Sequence, residues 1–298
     1  MIYVAIPTYK RPKSLSRLIK SLGRMSTTRE YRILVADNDA EMREGIGVAK
    51  SLSATDEKAI DTIVVEARGI SAVRNAILEY VFRDKEAEIL LMIDDDEYVD
   101  PGWIDGMLTV QTETAADAVA GLVLPHFDTP PPDFARDNEL YWRTKHDDGI
   151  VSDIYSTTSL LLARKFFLEH KGFRFLDEFG MTGGGDFEFL NRMKSKGAVF
   201  AFASSAISYE VFGESRLTKD WNIERSYRIG FAEARIAVKN RSYYRLFLKS
   251  FLAYFYYRTK VFLYPSEFQY ERKMVKQLGR MKGRWAQAPE VYRKIHGG

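Results

Sequence analysis

The residues best suited to chemistry are three consecutive aspartates that follow an apolar segment. The sequence Ile-Leu-Leu-Met-Ile-Asp-Asp-Asp-Glu occupies residues 89–97. Unpaired charge is costly to remove from water, so a buried strand does not carry Asp94, Asp95 and Asp96 for stability. A divalent cation relieves the repulsion between crowded carboxylates, and oxygen ligands favour Mg²⁺ or Mn²⁺ over zinc. A solvated acidic turn is the alternative, and this segment by itself leaves both interpretations open.

The composition excludes several other kinds of site. The 298 residues include no cysteine, which rules out disulfides, thiolate zinc sites and thiol catalysis. The four histidines are scattered and give no helix-spaced metal-binding pair. A net charge of +3 gives no argument for a nucleic-acid partner. The chain opens on a strand pattern without a basic-then-apolar leader, and no stretch is apolar enough to span a bilayer, so we expect a cytoplasmic protein.

The elements that must position the aspartates alternate along the chain. Strands are predicted at residues 2–6, 31–36, 62–65, 89–93, 118–124, 159–163, 199–202 and 206–209. Helices are predicted between them at residues 13–24, 41–52, 69–82 and 187–195, with a further one beginning at Pro101. This alternation predicts an α/β fold with a mostly parallel central sheet covered on both faces. We predict a long surface segment from His126 to Gly149. Strand patterns stop near residue 216, which predicts an α/β domain at 1–215 and a helical extension at 216–298.

Polar side chains follow the first, second and fourth predicted strands, and the carboxyl ends of parallel strands meet at one edge of a sheet. We therefore expect the three aspartates to share one cleft with Tyr9, whose ring suits base stacking, and with Asp37, whose carboxylate suits a base or ribose donor. Arg68 and Arg74 offer cations for phosphate oxygens. Each of these residues alone also fits a packing, turn or solvated role, and their joint placement is what favours a nucleotide site.

Four segments in order resemble the successive motifs of inverting family 2 glycosyltransferases. They are Ile-Pro-Thr-Tyr-Lys-Arg-Pro (6–12), Val-Ala-Asp-Asn (35–38), Gly-Ile-Ser-Ala-Val-Arg-Asn (69–75) and Ile-Asp-Asp-Asp-Glu (93–97). The resemblance covers roughly residues 1–230 and is specific in order and spacing. It implies the GT-A fold, a nucleotide-sugar-binding α/β domain.

The resemblance also implies roles for individual residues. Thr8, Tyr9 and Asp37 would hold the nucleobase, while Asp94 and Asp96 match the family's Asp-x-Asp, which contacts the ribose and the metal that bridges the diphosphate. Asp95 makes the register ambiguous, so the aspartate that binds the metal directly stays open. The implied cofactor is Mn²⁺ or Mg²⁺, and the implied donor is a UDP or GDP sugar. The residues expected to bind the donor are Thr8, Tyr9, Arg11, Asp37, Arg68, Arg74, Asp94, Asp95 and Arg216.

The segment Gly-Gly-Gly-Asp-Phe-Glu-Phe (183–189) resembles the family's Gly-Glu-Asp motif at the start of a helix, which implies that Asp186 is the catalytic base. A sugar hydroxyl is a poor nucleophile, and a carboxylate within hydrogen-bond reach can remove its proton. The sequence departs from the motif at Gly185, where the family has glutamate, so that role is vacant or taken by Glu188 or Glu178. The alternative is that Asp186 caps the helix and the glycines form a tight turn.

Residues 209–218 resemble a region that closes over the donor diphosphate in a bacterial subset of the family. Arg216 is expected to bind the pyrophosphate. Glu210 stands where many relatives carry a metal-binding histidine, which makes it a third expected metal ligand beside Asp94 and Asp96. The alternative is that Glu210 forms an ion pair with Arg216 or Arg225.

Residues 243–264 combine many aromatic side chains with basic ones, and they carry too many charges to span a bilayer. This pattern predicts a helix lying in a membrane interface. Acceptors in bacterial family members are often glycans linked to polyprenyl diphosphate, which implies peripheral contact with the cytoplasmic face of the inner membrane. Packing on the catalytic domain and a homodimer interface are the alternatives.

The sequence therefore predicts a metal-dependent inverting glycosyltransferase acting in bacterial surface polysaccharide or glycolipid assembly. One rival is a nucleotidyltransferase, which needs a glycine- and lysine-rich phosphate loop after the first strand. Residues 7–12 contain no glycine. The second rival is a non-catalytic nucleotide-sugar-binding scaffold, which the glycine at position 185 makes plausible.

Overall fold

One central sheet runs through the described residues, 1–54 and 60–285, of this computed structural model. The strands are β1 (Ile2–Thr8), β2 (Tyr31–Asp37), β3 (Ile60–Val64), β4 (Ile89–Met92), β5 (Glu97–Val99), β6 (Ala118–Phe127), β7 (Gly149–Val151), β8 (Leu160–Ala163) and β9 (Phe200–Phe212). The helices are α1 (Pro12–Leu22), α2 (Glu44–Ser53), α3 (Ile70–Arg83), α4 (Trp103–Thr114), α5 (Asp133–Arg136), α6 (Arg164–Glu169), α7 (Gly185–Ser195), α8 (Lys219–Lys239), α9 (Tyr243–Leu263) and α10 (Phe268–Lys282). Two 3-10 helices cover Asp177–Phe179 and Glu214–Arg216.

The strand order is β3-β2-β1-β4-β8-β6-β9-β5, and β7 pairs with β9. The parallel arrangement expected from the sequence is confirmed for β3-β2-β1-β4 and for β6 with β9. The other pairings in the described sheet are antiparallel, so the sheet is mixed from β8 onward. Within the described chain, the segment 128–159 that leads into β8 contains only one helix, the four-residue α5, so it lacks the long helix that usually joins parallel neighbours.

Strand β1 shows why the first strands are apolar throughout. Val4 and Ile6 pack in one core with α1, α2 and α4, while Tyr3 and Ala5 pack in a second core with α3, α6 and α7. Strands buried on both faces lack the polar alternation of half-exposed strands. The predicted coverage of the sheet on both faces is therefore confirmed.

Two predicted boundaries were wrong. The predicted strands at 199–202 and 206–209 are one strand, β9, whose register against β6 shifts between Gly121 and Leu122. This irregularity lets Ser204 and Ser205 interrupt the apolar pattern without ending the strand. A Cβ on Gly121 would overlap Ser159 Oγ and the Ala206 carbonyl, so the close approach there requires glycine.

The second boundary lies at α4, which begins at Trp103 rather than at Pro101. The Pro101 carbonyl accepts hydrogen bonds from the backbone N–H and the hydroxyl of Ser26 at 3.0 Å each, which keeps this residue in the turn before the helix. The segment 126–149, expected to be irregular, contains α5 and leads into β7.

Three long helices follow the last strand. Helix α8 packs against α10, and α9 packs against both. No helix of the described residues is long and apolar enough to cross a membrane. The division of the chain at residue 216 stays a prediction, and residues 286–298 of the expected extension lie outside the described residues.

Glycines set the distance between α8 and α10, which leads to a test of the fold. A Cβ on Gly230 would overlap the Lys276 carbonyl, whereas a Cβ on Gly47 in α2 would meet nothing within 4 Å. We expect Gly230→Ala to lower the free energy of unfolding by about 2 kcal/mol through overpacking. Gly47→Ala should raise the free energy of unfolding by about 1 kcal/mol, because alanine is the better helix former. Urea denaturation of both variants checks this, and a Gly230→Ala variant as stable as Gly47→Ala would contradict it.

Candidate functional site

The ends of β1 and β4 bring the first two motifs together. These strands pair in parallel, so the loop after β1 lies beside the three aspartates. Thr8 Oγ1 donates to Asp95 Oδ2 at 2.8 Å. Arg11, which precedes α1, donates from Nη1 to Asp95 Oδ1 at 3.0 Å and to Asp96 Oδ2 at 2.9 Å. The sequence neighbours Asp95 and Asp96 therefore share one guanidinium from the loop after β1.

Two further arginines extend this ionic network toward β9. Arg216 donates from Nη2 to Asp96 Oδ2 at 2.8 Å and from Nη1 to Glu210 Oε1 at 3.4 Å. Arg143 donates from Nη2 to Glu210 Oε2 at 2.6 Å and from Nη1 to Thr158 Oγ1. Glu210 thus pairs with Arg216, as one interpretation of the sequence had it, and also with Arg143. The network alternates acids and arginines from Thr8 across to Thr158.

Asp186 joins the same cleft from the other side. It is the second residue of α7, and its carboxylate accepts from Arg74 Nη1 and, at 3.5 Å, from the Thr157 N–H. Arg74 Nη2 also donates to Asp94 Oδ1 at 3.4 Å. One buried guanidinium on α3 therefore connects the expected catalytic base with the first of the three aspartates.

The helix start that presents Asp186 depends on its glycines. Gly183 and Gly184 have φ of 78° and 86°, a region that favours glycine. Gly184 is the N-cap residue of α7, so the interpretation of Asp186 as a cap is wrong. The Ile70 N–H donates to the Gly180 carbonyl at 3.1 Å, which fixes this loop against the start of α3. The motif at 69–75 and the motif at 183–189 therefore hold each other in place.

Burial and neighbouring charges shift the pKa values of the three aspartates in different directions. Burial raises the pKa of Asp94, which Asp96 and Asp186 raise further against the opposing charge of Arg74. Burial also raises the pKa of Asp95, although Arg11 opposes that shift. For Asp96, burial is outweighed by Arg216 and Arg11, which hold its pKa below the usual value. The aspartate that two arginines contact is thus the one that stays ionised most readily.

Glu97 is a buried acid that the sequence did not single out. It is fully buried, lies directly opposite Glu210 in the β5–β9 ladder, and neither carboxylate oxygen has a hydrogen-bond partner among the described residues. Burial raises the pKa of Glu97 well above its usual value, and the charges of Asp94 and Glu210 add to this. The protonated form of this side chain is therefore favoured more than that of a glutamate in water.

The expected nucleobase residues lie at the neighbouring strand ends. The Arg68 guanidinium stands 4.6 Å from the centroid of the half-buried Tyr9 ring. Asp37 is fully buried, and its oxygens accept from the N–H groups of Asp39 at 2.9 Å and Ile46 at 3.2 Å, which organises the loop before α2. Burial raises the pKa of Asp37 despite these bonds. A contact between Asp37 and a base stays a prediction.

The two glutamates considered as substitutes at position 185 have other partners. Glu188 forms a double hydrogen bond with Arg192 at 2.7 and 2.9 Å, and Glu178 pairs with Lys239 and with Arg235. Neither residue contacts the ionic network. A Cβ on Gly185 would stand 3.4 Å from Phe179 Cβ and 3.6 Å from Ser71 Oγ, which are ordinary contacts, so an alanine-sized side chain would fit at this position.

Sequence reasoning missed Arg143, Thr158 and Glu97. Arg143 lies in the segment 128–148, whose sequence has no helical or strand period, so nothing local marks it. Glu97 was visible as the last acid of the run 94–97, and only the strand register reveals that it faces Glu210. Glu97 and Val99 are two residues apart, so in a strand they face the same side. The apolar Val99 was therefore a signal in the sequence that Glu97 is buried as well.

The acids suit a hard divalent cation in chemistry, since Asp94, Asp96 and Glu210 offer only oxygen. Within residues 1–54 and 60–285, no three His, Cys, Asp or Glu side chains stand close enough together to hold a metal ion. Arg11, Arg143 and Arg216 instead compensate the acids, as described above. The oxygen ligands of these residues therefore suit a divalent cation. Their contacts with arginine must break before the three acids can bind one cation together.

Comparisons with known proteins identify the family and the fold of the chain. The family model described as Glycosyl transferase family 2 matches residues 3–174. The succinoglycan biosynthesis protein ExoM of Rhizobium meliloti (strain 1021) is 28% identical over 249 residues, which cover 79% of this chain and 74% of ExoM.

Solved structures resemble the fold. The mannosyltransferase PcManGT from Pyrobaculum calidifontis, in complex with GDP-Man and Mn²⁺, has a TM-score of 0.64 at 14% identity, covering 95% of this chain and 87% of its own. S. aureus TarS 1–349, in complex with UDP-GlcNAc, has a TM-score of 0.55 at 16% identity, covering 78% of this chain and 66% of its own. At these identities the likeness shows the fold alone.

The sheet order and the acidic end of β4, together with these matches, define a glycosyltransferase with the GT-A fold. The chain belongs to glycosyl transferase family 2, because the family model matches more than half of it. Its curated relative ExoM is a protein of polysaccharide biosynthesis.

The raised pKa of Glu97 gives a test by pH. Its pKa is raised in the folded protein, so the associated stability is fully present below the unfolded pKa and is lost as pH rises toward the folded pKa. The loss amounts to about 1.4 kcal/mol per pH unit in that window. Glu97→Gln cannot titrate, so we expect the melting temperature of the variant minus that of the wild type, both measured in chelator, to rise as pH increases above the ordinary glutamate value of about 4.3. Glu113→Gln, at an exposed position, is the control, and parallel curves for Glu97→Gln and wild type would contradict the assignment.

Proposed function

We propose that this glycosyltransferase moves a sugar from a nucleoside-diphosphate donor to an acceptor hydroxyl with inversion and with the help of a divalent cation. The observation that carries the proposal is the position of Arg74, which contacts both Asp186 and Asp94. This arrangement brings a candidate base beside the candidate Asp-x-Asp. A single displacement needs a base on the acceptor side and charge compensation on the leaving-group side of one cleft.

Asp186 is the proposed base. Its side chain is 28% exposed, so an acceptor hydroxyl can reach it, while Arg74 and the Thr157 N–H fix its orientation. The proton moves from the acceptor hydroxyl to a carboxylate oxygen of Asp186 as the new glycosidic bond forms. The bond between the anomeric carbon and the diphosphate oxygen breaks in the same step.

The donor diphosphate is proposed to bind where the arginines now meet the acids. Phosphate oxygens compete well for guanidinium groups that a carboxylate holds. Arg216 and Arg11 are then free to bind the diphosphate, and Asp94, Asp96 and Glu210 are the residues that would hold Mn²⁺ or Mg²⁺. Such a cation stabilises the charge that develops on the departing nucleoside diphosphate. Tyr9 and Arg68 offer a stacked surface for the base, with Thr8 and Asp37 beside them.

The substrate class is proposed from the relatives. PcManGT is described with GDP-Man and Mn²⁺ and TarS with UDP-GlcNAc, which supports a GDP or UDP sugar as donor. ExoM is described as a succinoglycan biosynthesis protein, which supports a glycan acceptor, free or linked to a polyprenyl carrier. A lipid-linked acceptor places the enzyme at the cytoplasmic face of the inner membrane, either as a monomer or as a homodimer.

Replacing the proposed base separates binding from transfer. Asp186→Asn keeps a hydrogen-bond acceptor for Arg74 but cannot take a proton, so we expect sugar transfer to fall at least about a hundredfold. Binding of the nucleoside diphosphate, measured by calorimetry, should change little. Asp133→Asn, at an exposed position in α5, is the matched control. Full transfer activity in Asp186→Asn would exclude this residue as the base.

Removing the cation tests the other side of the cleft. Three carboxylates and a diphosphate repel one another without a cation, so we expect affinity for UDP or GDP to fall at least about tenfold in chelator compared with Mn²⁺. The same titration with Asp96→Asn should show a smaller effect of Mn²⁺. Equal affinity of the wild type with and without Mn²⁺ would rule out metal-assisted donor binding.

A further inference from the structure

Helix α9 is long and packs unevenly. Of its 21 residues, only Tyr243 and Ser250 are buried. Its Tyr243 hydroxyl donates to the Met281 carbonyl of α10 at 2.6 Å, which fixes one side of the helix against its neighbours. Large apolar side chains on the rest of the helix are exposed, and Phe262 reaches 83%. These exposed residues are Tyr244, Leu248, Phe251, Leu252, Phe255, Tyr256, Phe262 and Leu263.

Five of these exposed side chains form one stripe, and Leu252, Tyr256 and Leu263 lie along one side of it. Residues 244, 248, 251, 255 and 262 are spaced by four, three, four and seven positions, which places them on one face of an α-helix. We call this surface the α9 aromatic face. By the same geometry Arg258 lies on one flank, and Arg245 and Lys249 lie on the other. An apolar stripe with cations on both flanks is the arrangement of a helix that lies in the plane of a membrane interface.

The charge of this region is mostly positive. Residues 243–263 contain no acid, and residues 243–285 contain ten Lys or Arg against Glu267 and Glu271. Lys260 stands 5.0 to 5.9 Å from the rings of Tyr256, Tyr264 and Tyr270. Long basic side chains and tyrosine rings together suit the zone where headgroups meet acyl chains.

The sign of the charge also decides between the possible occupants. A second copy seated symmetrically on the α9 aromatic face would bring the same cations together across the contact. An anionic bilayer supplies both the apolar phase for the stripe and the negative charge for the flanks. Monomeric proteins rarely expose a contiguous apolar surface of this length without a partner.

We infer that the α9 aromatic face docks on an anionic phospholipid surface, with α9 parallel to the membrane plane. The inference stands on the surface of α9 and not on the proposed reaction. If both hold, docking keeps the enzyme beside an acceptor carried by a membrane lipid.

Vesicle flotation of the full chain tests the docking in the absence of any nucleotide sugar. The wild type should float with vesicles of phosphatidylglycerol and phosphatidylcholine and remain unbound with phosphatidylcholine alone. Salt should weaken the binding, because screening shortens the reach of the cations. Donor affinity, measured separately by calorimetry, keeps a failure of docking distinct from a failure of the proposed function.

Paired variants assign the binding to this face. Leu248→Ser/Phe262→Ser removes two well-exposed apolar side chains, and Arg245→Glu/Lys249→Glu reverses one flank. We expect each pair to lower vesicle affinity about tenfold or more. The control Met42→Ser/Leu168→Ser removes two exposed apolar side chains elsewhere and should bind like the wild type.

Three results would overturn the inference. One is a wild type that does not bind anionic vesicles, and another is undiminished binding by both α9 variants. The third is a wild-type dimer in light scattering that Leu248→Ser/Phe262→Ser converts to a monomer while vesicle binding is absent, which would make a second copy the occupant. Melting temperatures equal to that of the wild type show that the variants remain folded.

Discussion

Compensation of clustered carboxylates by arginine is the interaction on which the cleft depends. Asp94, Asp95 and Asp96 follow shortly after strand β4, and β9 adds Glu210 directly opposite the buried Glu97. Taking such charges out of water costs several kcal/mol each, and breaking one pair leaves an uncompensated charge. The arginines therefore act less as a net source of stability than as a constraint: any arrangement of the loops that separates them from the acids is strongly disfavoured.

This constraint draws together parts of the chain that are far apart in sequence. Arg11 comes from the loop after β1, Arg74 from α3, Arg143 from the segment before β7, and Arg216 from the 3-10 helix after β9. Arg11, Arg74 and Arg216 contact the aspartates that follow β4, and Arg143 contacts Glu210 on β9. The same contacts prepare the cleft for a diphosphate, because a phosphate group can replace a carboxylate as the partner of a guanidinium without leaving it unpaired.

The sequence predicted those features of the structure that depend on residues close together in the chain. Strands β1 and β2 and helix α3 were predicted to within two residues, because runs buried on both faces and a glycine before a helix are visible in a short window. Thr8 and the aspartates at 94–96 were singled out because polar residues follow strands, and Asp186 was singled out because its segment resembles a family motif. Arg143 was not predicted, because it lies in a segment without periodicity. The pairing of Glu97 with Glu210 was not predicted either, because it depends on the register of β5 against β9. The bulge in β9 escaped for the same reason, as its cause lies partly in Gly121 on another strand.

The two charged regions of this protein differ in whether their charges are paired within the fold. This difference explains why one region is a cleft and the other is an exposed surface. At the end of β4, acids and arginines are matched within the fold, so the cleft can exchange partners at little electrostatic cost. On α9, Arg245, Lys249 and Arg258 form no ion pair with an acid of the described chain, and the apolar stripe between them faces water. A surface that combines unpaired cations with exposed aromatic rings favours association with a partner, because large exposed apolar patches mark interaction sites. The net charge of +3 does not reveal the positive charge of residues 243–285, because most of the acids of the protein lie elsewhere in the chain. Of the two occupants compared for α9, an anionic bilayer is the one that is both apolar and negative, which is the reason we infer it as the partner of this surface.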